Sequence, residues 1–303
     1  MKFLLALFGC TGGAGATRAA QLPVTFTPTV VVSAEAPIFL GFEGGPFAPI
    51  EQRRLAAWRI DGAQAMAMGP EGPGWYQAAA QVGGEVWAVA ATLLPSGSGA
   101  TYRLVVGGAA GWEDRGPIPA SSIGHVATDG RGGGWVVGVG QLFRTRDGGA
   151  SWVGVTGAPA PGNVAETLGM PGPDELIVGG GALLRTEDGG ATWRALLAQP
   201  VLATDGTWVV SGTAERLVVS RRSGDNLTQT AEIEGGWQPD AVFGAGEVVR
   251  IRATKSGSVF VLESTDGGRI FAPVRARGLS DPHWVGLGTA VWSIDVERVV
   301  RKR

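Results

Sequence analysis

Thr145-Arg146-Asp147-Gly148-Gly149-Ala150-Ser151-Trp152 and Thr186-Glu187-Asp188-Gly189-Gly190-Ala191-Thr192-Trp193 are one phrase written twice, 41 residues apart. A worn third copy, Ser264-Thr265-Asp266-Gly267-Gly268-Arg269-Ile270-Phe271, keeps the hydroxyl, the Asp, the glycine pair and the closing aromatic. Repetition at a fixed period fixes an architecture before any single residue does, because each repeat is one supersecondary unit that must stack on its neighbours to bury its apolar faces.

The unit is clearest from Ile123 to Pro159. Ile123 to Thr128 is an apolar alternating run; Gly134 to Val139 follows a Gly-rich turn; Gln141 to Thr145 and Trp152 to Val155 flank the Asp-Gly-Gly turn. Four short antiparallel strands in about 40 residues, repeated, predict an all-β fold, a β-propeller of four-stranded blades. The closing aromatic serves as a ruler and falls at Trp75, Trp112, Trp152, Trp193, Leu227 and Phe271, with Trp75 equally able to open the next unit. Apolar runs after a turn mark the second strands at Val86 to Ala90, Trp135 to Val139, Leu176 to Val178, Trp208 to Val210, Val248 to Ile251 and Val291 to Ile294.

These markers place blades near 30–70, 71–119, 120–159, 160–199, 200–235 and 236–277. Residues 278–303 hold three further runs, and Leu22 to Thr27 reads as a spare strand. Pairing the two ends would complete a seventh blade and remove an exposed sheet edge, so seven blades are expected, with six as the alternative. The domain plan is therefore an export signal and tether over 1–20 and a single propeller over 21–303. One helix candidate stands out, Ile50 to Ile60.

Composition agrees with many short strands joined by tight turns. The 303 residues are 44% hydrophobic and include 51 glycines without a collagen-like period. Net charge is −2 and the 25 basic residues are scattered, which excludes the basic stripe of a nucleic-acid binder. The one local excess, Arg298, Arg301, Lys302 and Arg303, reads as a solvated chain end.

At the N-terminus Lys2 precedes an apolar run, Phe3 to Phe8, and a small-residue exit, Thr11 to Ala16, which together describe an export signal rather than a membrane span. Cys10 is the only cysteine, so no intrachain disulfide forms. Leu7-Phe8-Gly9-Cys10 resembles a bacterial lipoprotein signal, which implies lipidation at Cys10, with Phe8 departing from the usual small residue. Cleavage after Ala14-Gly15-Ala16 is the rival reading. Either way the expected location is outside the cytoplasm: the bacterial envelope, as a periplasmic or outer-membrane lipoprotein, or the medium.

The phrase itself resembles the Asp-box, or BNR repeat, of sialidases, sortilin-type receptors, xyloglucan-cleaving hydrolases and photosystem II assembly factors. Its local physics is that of a fold staple. Asp147, Asp188 and Asp266 can accept hydrogen bonds from the backbone N–H groups of a tight turn, and glycines such as Gly149, Gly190 and Gly268 supply positive φ. Hydroxyls at Thr145, Thr186 and Ser264 open the turn, and Trp152, Trp193 and Phe271 close it by burying a ring. A calcium loop would need several closely spaced oxygen ligands, which one Asp between glycines does not provide, so no metal is expected. In the resembled families ligands use the opposite face, that of the second-to-third and fourth-to-first connections.

A sialidase would need a Phe- or Tyr-Arg-Ile-Pro motif and a late Tyr nucleophile. Trp58-Arg59-Ile60-Asp61 lacks the Pro, and the only tyrosines are Tyr76 and Tyr102, both in the first half. Paired-carboxylate hydrolysis has candidates in Glu166, Asp240 and Asp281, and His125 and His283 occupy equivalent positions near the start of a first strand, but nothing in the sequence brings any two together. The reading is a non-catalytic, monomeric, exported Asp-box propeller without cofactor that binds a protein or glycan and touches a membrane only through a lipid anchor. The alternative is a surface glycoside hydrolase or lyase.

Overall fold

The computed structural model describes residues 3–8, 17–23, 25–32, 38–45, 47–61, 64–108, 111–156, 167–172, 174–274, 284–286 and 292–294. Its strands run in chain order. β1 (Phe3–Phe8) and β2 (Thr17–Leu22) form a two-stranded sheet. Blade one is β3 (Phe26–Val32), β4 (Ile38–Glu43), β5 (Arg54–Asp61) and β6 (Gln64–Met68). Blade two is β7 (Trp75–Val82), β8 (Glu85–Leu93), β9 (Ala100–Gly108) and β10 (Gly111–Ile118). Blade three is β11 (His125–Thr128), β12 (Gly134–Gly138), β13 (Gln141–Thr145) and β14 (Val153–Gly154).

Blade four is β15 (Thr167–Gly172), β16 (Glu175–Gly179), β17 (Leu183–Thr186) and β18 (Arg194–Leu197). Blade five is β19 (Val201–Thr204), β20 (Trp208–Gly212), β21 (Arg216–Ser223) and β22 (Asn226–Glu234). Blade six is β23 (Gln238–Ala245), β24 (Val248–Lys255), β25 (Ser258–Ser264) and β26 (Ala272–Val274), and β27 (Trp284–Gly286) pairs with β28 (Trp292–Ile294). Each blade is an antiparallel meander in which neighbours in sequence are neighbours in the sheet, the blade architecture of a β-propeller.

Six four-stranded blades, not seven, are present among the described residues. The stretch expected to be a spare strand, Leu22 to Thr27, is divided: Leu22 ends β2, and Phe26 and Thr27 begin β3 of blade one, which starts before the expected residue 30. Phe26–Val32 is the first strand of blade one, its Val30 opposite Leu40 and its Val32 opposite Ile38, and burying those side chains against β4 gives it a better partner than a distant chain end. The one helix candidate, Ile50 to Ile60, is not an α-helix: Ile50–Gln52 makes a single 3-10 turn, and Arg54–Asp61 is strand β5. Leu55, Ala56, Ala57 and Ile60 are buried in a sheet there, and this packing overrides a weak helical pattern. Trp75 opens β7, the first strand of blade two, and so is no marker of a fourth strand.

The second strands are buried on both faces, because each lies in a sheet with another sheet packed over it. β12 is buried at every position, and Leu176–Gly179 in β16 and Trp208–Ser211 in β20 are buried without a break. The fourth strands, by contrast, alternate toward solvent, as in β22. Two compact units divide the chain after Gly157. In the first, one cluster joins Leu40, Leu55 and Ala57 of blade one to Tyr76, Val86 and Ala88 of blade two, and another joins Trp87, Val89 and Leu104 to Val126 and Val136 of blade three. In the second unit, Ile177 and Leu183 of blade four meet Val201 and Val209 of blade five, and Trp208, Leu217 and Val219 meet Val249, Ile251 and Leu262 of blade six.

Candidate functional site

The three Asp-Gly-Gly turns each connect a third strand to a fourth and are built alike. Thr145 Oγ1 donates to Asp147 Oδ1 at 2.7 Å and accepts the N–H of Gly149 at 3.0 Å. Asp147 also accepts the N–H of Ser151 at 2.9 Å and its hydroxyl at 2.5 Å. Thr186, Asp188, Gly190 and Thr192 repeat the pattern at 2.9, 2.8, 2.9 and 2.6 Å. Asp266 accepts from Ser264 Oγ, Arg269 N and Ile270 N, but Ile270 has no hydroxyl to tie the second arm. The closing aromatics Trp152 and Phe271 pack against neighbouring core clusters, and Trp193 donates its indole N–H to Gly190 O at 3.1 Å.

Those bonds favour the charged carboxylate. The Ser151 hydroxyl, then the Ser151 N–H and Thr145, hold the Asp147 pKa down at about 2; the Thr192 hydroxyl, then the Thr192 N–H and Thr186, do the same for Asp188. The Asp266 pKa is lowered too, first by Ser264. Both oxygens of Asp147 and of Asp188 are engaged within their own turn, which leaves them poor ligands for anything else. Among the described residues no three His, Cys, Asp or Glu side chains converge as a metal-binding set.

A further bond in each turn carried no sequence signal. The N–H of the first glycine, Gly148, Gly189 or Gly267, donates to a carbonyl in the first-to-second-strand turn of its own blade, that of Gly132, Asp174 or Glu247, at 2.9, 3.0 and 2.9 Å. The same end of every such blade is thus closed by its own backbone. Blade five lacks the phrase but keeps this bond, Arg222 N to Thr207 O at 2.7 Å. There the Arg222 guanidinium, with 8% of its side chain exposed, donates to Gly206 O and Gly224 O and faces Glu175 of blade four at 3.5 Å. Arg185 of blade four in turn pairs with Glu175, with Glu187 and with Asp225 of blade five.

Of the residues expected on the opposite face, His125 and Asp240 lie among the described residues. His125 is half-buried at the start of β11, opposite Val137, and is engaged there. Asp240 is more than half exposed and forms a cross-strand ion pair with Arg252 at 2.7 Å. Cys10, Glu166, Asp281 and His283 lie outside the described residues.

What that face does carry is a groove in blade one. β5 runs three residues, Arg54, Leu55 and Ala56, past its last β6 pair, Ala57 with Met68. The chain leaving β6 swings outward at Gly69-Pro70-Glu71 and returns at Gly72, whose carbonyl accepts Leu55 N–H at 2.9 Å; Gly74 N–H then bonds Arg53 O at 2.8 Å. Between strand and strap opens a groove of about 370 Å³ lined by Glu43, Arg54 and Glu71 beside Ala56, Trp58 and Met68.

Two of its lining residues, Glu43 and Arg54, flank the connection from β4 to β5, the ten residues Gly44 to Arg53, the longest second-to-third connection of the six. Its described residues are tied by several bonds. Gly44 and Gly45 donate to Thr25 O, Ala48 N–H to Gly45 O, and Arg53 stacks 4.2 Å from the Phe42 ring while its Nε donates to Ala48 O. This framework holds Phe47 out in solvent at 96% exposure, with Ile50 at 40%. The sequence held a signal here. Gly44-Gly45-Pro46-Phe47-Ala48-Pro49-Ile50 sets two large apolar residues among turn formers, where no strand pattern uses them.

No protein-family profile and no curated protein matches the chain by sequence. Solved structures do match by shape. A structure described as YCF48 bound to D1 peptide aligns over 90% of this chain and 93% of its own at TM-score 0.58 and 15% identity. YCF48 from Cyanidioschyzon merolae aligns over 90% and 95% at 0.57 and 12%. The GH74 xyloglucanase from Xanthomonas campestris aligns over 98% of this chain but 53% of its own, at 0.62 and 14%. At these identities the likeness is one of fold.

Proposed function

We propose that this chain is a non-catalytic Asp-box propeller of the bacterial envelope that binds a segment of a partner protein in the groove of blade one. The observation that carries the reading is a groove of about 370 Å³ whose Glu43 and Arg54 flank a connection that presents Phe47 to water. A solvated Phe is unfavourable in the free protein and becomes an anchor when a partner covers it; aromatic anchors beside a pocket dominate such interfaces. The D1 peptide bound to YCF48, a protein of similar fold, supports peptide recognition as a use of this architecture, by analogy only. The Asp-box turns, with their oxygens already engaged and on the other end of the blades, fit a structural part in this reading. Envelope location rests on the N-terminal pattern and the lipid signal at Cys10.

The test is selection of peptides from a displayed random library on the folded protein, followed by fluorescence anisotropy with the wild type and Phe47→Asp. Loss of the buried ring should weaken the selected peptides at least about tenfold. Peptides that bind Phe47→Asp as tightly as wild type would remove the groove from the mechanism.

A further inference from the structure

The wall of the groove hides hydrogen-bond donors that have nothing to bond. Gly69 forms part of that wall with φ at +95°, and a Cβ on it would stand 3.3 Å from Tyr76 Oη, 3.6 Å from Trp112 Cε2 and 3.2 Å from Ala57 Cβ. Tyr76 and Trp112 come from β7 and β10 of blade two, their ring centroids 6.3 Å apart. Tyr76 is fully buried, and its hydroxyl, like the Trp112 indole N–H, has no acceptor among the described residues. Arg103 Nε is a third such donor; its Nη1 holds Asp114 at 2.8 Å, and its Nη2 lies 3.6 Å from the Cβ position of Gly72 on the strap.

Native interiors leave few polar groups unmet; the indole N–H groups of Trp135 and Trp152 are also unpartnered among the described residues, but here three such donors, one of them a fully buried phenol, stand beside one strap. Packing does not explain the phenol, since a Phe at position 76 would fill the same space among Leu55, Ala57 and Val86 without a stranded hydroxyl. Burial raises the Tyr76 pKa above the ordinary phenol range, with the Arg103 charge opposing, so the hydroxyl keeps its proton and stays a donor. The strap in front of them is weakly held. Its backbone bonds are those of Gly72 and Gly74, whereas Gly69, Pro70 and Glu71 make none among the described residues.

We infer that occupation of the groove displaces Gly69–Glu71, and that Tyr76 Oη and Trp112 Nε1 then donate to a carbonyl or carboxylate oxygen of the bound segment. The inference rests on the groove being the binding site and adds what the occupant must present there: an acceptor oxygen within reach of the two donors. Arg103 adds positive potential at the Tyr76 hydroxyl, while its partner Asp114 and the groove's Glu43 and Glu71 oppose it, so an amide and a carboxylate probe decide which oxygen is preferred.

The test uses the whole protein labelled with 15N in its indole nitrogens, the Trp112 signal being assigned by its loss in Trp112→Phe. N-methylacetamide serves as the amide-carbonyl probe and acetate as the carboxylate probe, with sodium chloride controlling for salt. One of the two should move the Trp112 indole resonance downfield saturably, and Tyr76→Phe should weaken that binding about tenfold, the worth of one hydrogen bond to a well-placed donor. Tyr76→Phe should also melt no lower than wild type. A resonance that neither probe moves saturably, or a fall in melting temperature with Tyr76→Phe, would overturn the inference. If the peptides still depend on Phe47 while Trp112 is silent, the donor subsite falls and the groove stands. If neither responds, the groove itself is wrong.

Discussion

Gly148 and Gly149 are adjacent, both at positive φ, yet alanine at the two positions should have unequal effects. At Gly148 φ is +72° and nothing lies within 4 Å of a new Cβ; at Gly149 φ is +89° and the Cβ would fall 2.2 Å from Leu104 Cδ2 of blade two. Leu104 is fully buried in the cluster with Trp87 and Ile123, so it has little room to retreat. Forcing an L-residue into the left-handed region costs about 1–2 kcal/mol at either site. Overpacking a filled core adds about 1–3 kcal/mol, and only at Gly149. The loss of unfolded-state freedom is common to both and cancels in the difference.

Gly149→Ala should therefore be about 1–3 kcal/mol less stable than Gly148→Ala. Urea unfolding followed by tryptophan fluorescence, read on the transition of the unit that carries blades one to three, measures this from the two midpoints. A double-mutant cycle closes the argument: in a Leu104→Ala background the extra cost at Gly149 should disappear. Equal midpoints for the two glycine variants, or a penalty undiminished in the Leu104→Ala background, would show that the second glycine serves the turn's backbone alone and not the contact between blades.

Acid should separate two kinds of aspartate. Asp147 and Asp188 titrate near 2 when folded against 3.8 for the free side chain, so their contribution is complete above about pH 4 and is lost as pH falls through 2; urea midpoints from pH 6 to 2 should flatten in Asp147→Asn with Asp188→Asn. Asp205 is opposite in sign. Burial raises its pKa against the N–H groups of Trp208, Thr207 and Gly244, so its folded form takes up the proton first and the protein gains stability from this group as pH drops toward 3.8, a slope that Asp205→Asn removes. At the N-terminus, Cys10→Ala should move the protein from the membrane to the soluble fraction of the native host, and unchanged membrane association would sink the lipid-anchor proposal.

How far the sequence could be read depended on whether a feature was periodic. The second-strand runs Val86 to Ala90 and Trp208 to Val210, and Trp135 to Val139 up to Gly138, lie in the second strand of a blade, because a strand covered on both faces must be apolar at every position and so stands out against its turns; Val139 is an exposed turn residue. Pairing of strands far apart in sequence has no such mark. By pattern alone, the stretch around Phe26 could join the chain end or its own neighbour, and the neighbour's Ile38–Leu40 decided it. The groove was harder still. It arises where β6 stops short of β5, an offset that only the register of Ala57 with Met68 reveals. Its hidden donors, Tyr76 and Trp112, are 36 residues apart and from different strands. A search for catalytic pairs drew attention instead to Asp240, whose partner proved to be Arg252.

The arginine that stands in for the phrase in blade five makes the blades unequal as hereditary parts. In blades three and four the turn's side-chain fastening is internal: the hydroxyl, the carboxylate and the glycines all belong to one short run of chain. Such a blade can be duplicated, or traded for another, with its clasp intact. Blade five cannot, for its Arg222 and Asp225 need the Glu175 and Arg185 of blade four, and its Asp205 needs the Gly244 N–H of blade six. The side-chain clasp of blade three therefore travels with its own stretch of chain, while the polar fastening of blade five is shared with blades four and six.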